Sequence, residues 1–404
     1  MKILILSNYM ICPPISGGAK RFLAPVLNLK ADIQYSFIYM SYSSDEISKN
    51  KKYLESLENV DFTQGILTSE SFQWDWRNIP EGVPPIVWYT MNRNFLTAVE
   101  THLKTYNYDI IQVEHSQFAW IVPKIRSLCN NAKIVLDYHN MEWLVYERWI
   151  PYAKNPEKIQ SLTKEYQTLK EWEENIFQWF DAIFCISPIE QKKIMDLTTT
   201  KTFYVPSGAG INDEDYLPPN NIEKKFDLFF IGSMNWYPNA QALEWFIKKV
   251  LPKIQLKYPK VKLEIAGSGQ PDQEMLKLIK SNRYITFWGT VMDERPFLHQ
   301  SKVFISPIWI GAGVRLKNPT AWASMLPVVA TSLSVEGLEY TVDYDVLIGD
   351  TPEEFAKKVI SLLDSSQYRS EIASNAYCTY KTRYSTERLM NIWESAYRSV
   401  IEGE

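Results

Sequence analysis

An α/β protein made of two doubly wound parallel sheets is predicted by three features of the 404-residue sequence. Short apolar runs alternate with longer stretches of helical period. The alternation restarts after Pro206, and a Pro/Gly/Asp-rich stretch, Val205–Asn220, separates the two series. In the first series Lys2–Ser7, Ser36–Met40, Asp109–Val113, Lys133–Leu136 and Ala182–Ile186 read as buried strands, with Ala19–Leu29, Asn94–Tyr106 and Ile159–Phe180 as helices between them. In the second, Leu228–Ile231, Val261–Ala266, Ile285–Trp288, Val303–Ser306 and Val328–Ala330 are the strands. Asn239–Val250, Asp272–Lys280, Glu294–Gln300 and Pro352–Leu363 are its helices. Apolar strands flanked by helices belong to parallel sheets covered on both faces. An amphipathic stretch, Thr386–Ile401, follows the last strand. Such sheets bind ligands outside the carboxyl ends of their strands, so two facing each other would form one cleft.

Composition narrows the function classes. Hydrophobic residues are 46% and charged residues 22%, with a net charge of −4, which excludes a disordered chain and the basic footprint of a nucleic-acid binder. Cys12, Cys129, Cys185 and Cys378 lie far apart with no CxxC pair, and with four histidines the pattern of a structural zinc site is missing. Three of these cysteines sit in apolar or aromatic surroundings, as buried reduced thiols do. The apolar run at Met1–Ser7 is too short for a secretory signal. Val303–Val314 falls well short of the ~20 residues that span a bilayer. The expectation is a soluble cytoplasmic protein, at most peripheral on the inner face of the membrane. Aromatics reach 14%; Trp74, Trp76 and Trp88 fit either an acceptor-side surface or plain core.

Four loops fall where chemistry is expected. Pro13–Arg21 holds Gly17 and Gly18 between the first strand and helix, where backbone amides can approach an anion, or simply turn. It matches neither GxGxxG nor a P-loop. Leu136–Trp143 puts His139, Asn140 and Glu142 just past a strand; the histidine could meet a sugar hydroxyl, shift a proton or brace the backbone. His115 ends the preceding strand and poses the same question, while His102 and His299 sit on helical stretches. Phe230–Asn239 offers Gly232 for close approach and the Ser233 hydroxyl, then a helix capped near Asn239. Ser306–Ala321 is the richest: Gly311, Ala312, Gly313 and Val314 lead into Arg315 and Lys317 at a helix start, the ingredients of a diphosphate site. The strings Asp213-Glu-Asp215 and Asp343-Tyr-Asp345 are too short to imply a divalent metal. Ser187 lacks the glycines of a nucleophile elbow.

A series of short strings runs nearly the whole length: Pro13-Pro-Ile-Ser-Gly-Gly18, Asp109–Glu114, Asp137-Tyr-His-Asn140, Val205-Pro-Ser-Gly-Ala-Gly-Ile211, Ile231-Gly-Ser-Met234 and Pro238-Asn239, Ile265-Ala-Gly-Ser-Gly269, Phe287-Trp-Gly-Thr-Val291, Gly311-Ala-Gly-Val-Arg-Leu-Lys317, Pro327–Ser332 and Glu336-Gly-Leu338. In this order they resemble the retaining, metal-independent GT-B glycosyltransferases of family 4. The resemblance implies an acceptor-binding domain at 1–206, a nucleotide-sugar-binding domain at 207–385, and a C-terminal helix at about 386–404 packing back on the first domain. It implies that Gly17 and Gly18 touch the donor phosphates, that Gly232, Ser233, Arg315 and Lys317 hold the diphosphate, and that Gly311, Ala312, Gly313 and Val314 meet sugar and phosphate. Thr290 and Val291 would receive the base, and His139 the transferred sugar, with His115, Asn140 and Glu142 on the acceptor side. The family often carries two glutamates eight positions apart at this helix start; here they read Ala312 and Thr320, so the ribose would meet a single hydroxyl.

The expected activity is transfer of a hexose, glucose first, from a UDP-sugar to a hydroxyl of a glycan or lipid-linked glycan with retention. No metal or other cofactor is expected. The alternatives are a nucleotide-sugar 2-epimerase on the same fold and a non-catalytic two-lobed sugar- or nucleotide-binding protein.

Overall fold

The computed structural model describes residues 1–7, 14, 16–29, 32–68, 79–129, 131–210 and 212–403. Cys12, Pro13, Trp74, Trp76 and Ile211, named above, lie outside the described residues. The chain divides into two units, residues 1–207 with 389–404, and residues 208–388.

The first unit holds a seven-stranded sheet of β1 (Lys2–Ser7), β2 (Gln34–Ser41), β3 (Val60–Leu67), β4 (Ile110–Glu114), β5 (Lys133–Tyr138), β6 (Ala182–Cys185) and β7 (Lys201–Tyr204), in the order β3-β2-β1-β4-β5-β6-β7. All its pairings are parallel. The central strands are buried almost throughout, so they read as mainly apolar runs, interrupted in β4 by Gln112 and Glu114. The two edge strands, with sequences Val-Asp-Phe-Thr-Gln-Gly-Ile-Leu and Lys-Thr-Phe-Tyr, are only partly buried. They lack the apolar pattern, and the sequence reading misses both. The closing helix, Thr386–Glu402, buries Leu389, Met390, Trp393, Ala396, Tyr397 and Val400 on one stripe.

The second unit has six parallel strands, β8 (Phe226–Ile231), β9 (Leu263–Ala266), β10 (Ile285–Phe287), β11 (Ser301–Ser306), β12 (Val328–Ala330) and β13 (Leu347–Ile348), ordered β10-β9-β8-β11-β12-β13. In each sheet the winding direction reverses once, between β1 and β4 and between β8 and β11. Such a reversal leaves a crevice at the strand carboxyl ends, because the flanking connections run to opposite faces.

Helix boundaries follow local chemistry. Ser16, Ser43, Asn92, Asn155, Ser187, Asp272 and Thr351 cap helices by accepting from an amide in the first turn. Ser187 is thus a cap. Three expectations need correction. The single helix expected over Asn239–Val250 is three pieces, Tyr237–Trp245, a π-turn over Phe246–Val250, and Leu251–Gln255. Pro252 cannot donate to the preceding turn, and the wider turn accommodates it. Asn239 is not the cap: Trp236 holds that position and makes no side-chain cap bond, which leaves the Asn239 amide for other work. Among the described cysteines only Cys185 is buried; Cys129 is half-buried and Cys378 exposed, so the expectation of three buried thiols does not hold. Cys378 faces outward from a long helix, Ser366–Arg383, that the sequence reading leaves unassigned.

Candidate functional site

Each sheet gathers polar groups at its reversal. In the second unit, β8 leads into Gly232 and Ser233. The Gly232 amide donates to Ala266 O at 3.0 Å. Gly267 must be glycine, because a Cβ there would stand 1.9 Å from the Gly232 carbonyl oxygen and φ is +150°. Across the crevice, β11 leads into the loop that carries Gly311 (φ +149°) and Gly313 (φ +67°). The loop is pinned at its base by bonds from Ser306 to Ser334 and from Thr331 to the Ile308 carbonyl. Positive φ at both glycines folds the chain back so that Arg315 Nη1 donates to the Gly313 carbonyl at 2.6 Å. Ala312 and Val314, half-buried, lie between.

Lys317 opens the short helix Lys317–Ala323. Its Nζ donates to Asn239 Oδ1 at 3.0 Å and lies 4.7 Å from the centre of the Phe230 ring. Asn239 is itself oriented by donating from Nδ2 to Ser233 O at 3.0 Å. The lysine stem keeps some exposure while its ammonium is enclosed. Burial first, then the Arg315 guanidinium, pulls Lys317 down to about 7. Among the described residues no carboxylate pairs with Lys317. An amide and a ring face are weak company for an ammonium, so this spot favours an anion that would neutralise both cations.

Other expected second-unit residues are placed differently. Thr320 is buried, its hydroxyl bonded to Ala209 O at 3.2 Å and Leu316 O at 2.7 Å, so it already has acceptors within the fold. Thr290 is exposed and Val291 half-buried, in the loop after β10. Asp213 accepts from the Thr386 amide and hydroxyl, both at 2.8 Å, and from Tyr380. Asp345 accepts from the Thr341 amide at 2.9 Å and Thr379 at 2.8 Å. Both acids thus serve the fold.

In the first unit the expected histidines come together with acids. His139 follows β5 and His115 follows β4, and their rings lie 4.1 Å apart. His139 Nε2 is 2.7 Å from Glu114 Oε2 and 3.3 Å from Asp137 Oδ2. Asp137 accepts from Arg21 Nη2 at 2.5 Å and from Nε at 2.9 and 3.0 Å. Arg21 Nη1 also reaches Val205 O and Ser207 Oγ. All of these groups are buried. Burial alone would lower the His139 pKa, but Asp137 and then Glu114 outweigh it and hold the imidazole at about 8. Asp137, despite burial, is kept at about 2 by Arg21 and His139. His115 moves far the other way, through burial and the neighbouring His139 charge. At neutral pH the pair is one imidazolium beside one neutral imidazole. His115 adopts φ 70° with ψ 148°, a strained conformation for a residue with a Cβ.

Glu142 is buried, accepts from Gln117 Nε2 at 3.2 Å, and is pushed up to about 7 by that burial. Glu173 accepts from Ser116 at 2.5 Å and Tyr138 at 2.6 Å, and burial raises it to about 8. Asn140 is half-buried beside this group. Gly17 and Gly18 form the first turn of the helix Gly17–Asn28 rather than the loop before it. Trp88 is half-buried, while His102 and His299 are buried and bonded to Tyr108 and the Tyr216 carbonyl.

Glu114, Asp137 and His139 are the group of metal-ligand type among the described residues, with ligand atoms within 4.8 Å of one another. The fit is poor: the Arg21 guanidinium already occupies the Asp137 carboxylate, and a second cation would meet it at contact distance. Sequence reading missed Arg21, Gln112 and Glu114 as site members. Their signal was present as a lone arginine on an apolar helix face and as Gln and Glu inside a central strand, Ile-Ile-Gln-Val-Glu. No helix among the described residues is long and apolar enough to cross a membrane.

Residues 225–365 match the family described as Glycosyl transferases group 1. A protein of the cps region of Klebsiella pneumoniae, named only by its 44.6 kDa mass, is 25% identical over 96% of this chain and 98% of its own length. Among solved structures, sucrose-phosphate synthase from Thermosynechococcus elongatus superposes with a TM-score of 0.73 at 14% identity, covering 100% of both chains. HepE of Anabaena, solved in complex with UDP and glucose, gives 0.68 at 14% identity, over 99% of this chain and 100% of its own. The architecture of two Rossmann-like parallel-sheet domains is that of the GT-B fold. A match to Glycosyl transferases group 1 over residues 225–365, in a chain with the GT-B fold, supports a glycosyltransferase.

Proposed function

We propose that the protein is a retaining transferase that moves a hexose from a UDP-sugar to a hydroxyl of a glycan or lipid-linked glycan without a metal. One observation carries the reading: Lys317 and Arg315 lie side by side behind a glycine loop at the reversal of the second sheet, with the ammonium held by an amide and a ring instead of a carboxylate. Departure of a nucleoside diphosphate develops negative charge, and two preorganised cations stabilise it as a metal would elsewhere. Gly232 and Ser233 line the opposite side of that crevice, and the loop after β10, Thr290 and Val291, is assigned to the base. His139, held as a cation by two carboxylates, is assigned to a hydroxyl of the transferred sugar. His115, Asn140 and Glu142 are assigned to the acceptor side. With no carboxylate assigned as nucleophile, departure and attack on the same face through a short-lived ion pair account for retention.

UDP-glucose is the first donor to try, since the Anabaena neighbour binds UDP and glucose. Incubation with UDP-glucose and glycan hydroxyl acceptors is expected to release UDP and form a glucosylated product of retained configuration, read by coupled UDP detection and NMR. UDP-sugar binding with no UDP release from any acceptor would instead favour the non-catalytic reading, which the internally bonded Thr320 hydroxyl also suits. An epimer formed from donor alone would point to an epimerase.

A further inference from the structure

The last helix does more than cover the first sheet. From its buried stripe, Tyr397 Oη donates to Gln112 Oε1 at 2.7 Å. Gln112 Nε2 donates to Glu114 Oε1 at 2.6 Å, and the other oxygen of Glu114 lies 2.7 Å from His139 Nε2. Every member is buried. An amide has distinct donor and acceptor ends, and a phenol that donates to Oε1 decides which end faces Glu114. One turn earlier on the helix, the Trp393 ring stacks under the Arg21 guanidinium at 5.1 Å. The helix thus reaches the partners of both carboxylates that flank His139. Packing does not call for this: Gln112 and Glu114 interrupt a strand whose other members are Ile110, Ile111 and Val113, and buried polar chains are costly unless fully connected.

We infer that Tyr397 is a positioning residue for His139, acting through Gln112 and Glu114, so that the C-terminal helix sets the orientation and charge of the histidine. The inference rests on His139 as a site residue, as proposed above, but its test needs no turnover. The titratable and charged groups facing the imidazole are Glu114 from β4, Asp137 from β5 with Arg21 behind it, the neutral His115 ring and, at longer range, Glu142.

The test is proton NMR titration of the four histidines, assigned by single His→Gln variants. His139 is expected to titrate near 8 in the intact protein. Tyr397→Phe keeps the ring and removes the hydroxyl; burial and Asp137 raise the Glu114 pKa, and a freed Gln112 that donates less firmly to it lets that pKa rise further, so the His139 midpoint falls by at least about half a pH unit. Gln112→Met cuts the middle link and gives the same fall. In a Glu114→Gln background, Tyr397→Phe shifts nothing further. Met390→Leu, a packing change on the same helix, leaves the midpoint in place. An unmoved midpoint in Tyr397→Phe and Gln112→Met, an equal shift with and without Glu114, or the same shift from Met390→Leu overturns the inference. Absence of UDP-sugar turnover alongside the expected shifts would instead count against the proposed activity alone.

Discussion

Arg315→Ala and Lys317→Met are each expected to lower kcat/KM for a UDP-sugar by about 10²–10³-fold with the fold intact, the scale on which a single preorganised stabiliser of developing charge is felt. The loss should fall mostly on kcat, because charge on the leaving diphosphate is greatest in the transition state. Lys317→Met keeps a chain of similar length and removes the ammonium that lies over Phe230. The pH dependence has a definite sign. In the free protein burial and Arg315 hold Lys317 at about 7, and a bound diphosphate raises it. Affinity for UDP is therefore full below about 7 and weakens above it, by up to tenfold per pH unit until the pKa of the complex is reached. Calorimetry across this range should show that slope in the wild type and lose it in Lys317→Met. A flat wild-type profile would mean that the ammonium does not meet the phosphates.

The largest expected effect on stability is at Arg21. Arg21→Met is expected to cost the first unit about 3–5 kcal/mol in urea unfolding, the usual cost of removing one partner of a buried ion pair. Asp137 and Arg21 are both fully buried, and the guanidinium makes five bonds to Asp137, Val205 and Ser207. Asp137→Asn in the same background should recover part of the loss, since the orphaned charge disappears. The acid limb of the wild-type stability curve follows from the same pair. Asp137 is held at about 2, against an ordinary value of 3.8, so its contribution is fully present above 3.8 and is lost as pH falls through about 2. In Arg21→Met that loss should move to higher pH. A cost below about 1 kcal/mol would show that His139 alone satisfies the Asp137 carboxylate.

The sequence announces the sheets because their central strands are buried on both faces and are apolar enough for the pattern to survive Gln112, Glu114 and Asp137. Val60–Leu67 and Lys201–Tyr204, at the sheet edge, carry Asp61, Gln64 and Lys201 where one face meets solvent, and they read as loop. The glycine loop with Arg315 and Lys317 was equally legible, since positive φ and paired cations are local properties. The role of Asn239 was not. Its partners, the Ser233 carbonyl and Lys317, are a turn and 78 residues away, and only the fold joins them. The same holds for His139: the sequence shows a histidine after a strand, but Glu114 is 25 residues off and Arg21 reaches Asp137 from 116 away. Charge networks assembled by parallel strands are written in single residues spaced by whole βαβ units, which no local pattern reveals.

The central claim is that a nucleoside diphosphate is held by Arg315 and Lys317 without a metal, and titration calorimetry of UDP in excess EDTA tests it most directly. Saturable binding in EDTA by the wild type, reduced at least about 100-fold in the Arg315→Ala/Lys317→Met double variant, is the predicted result. Binding that appears only when a divalent cation is restored, or that survives unchanged in the double variant, would contradict it.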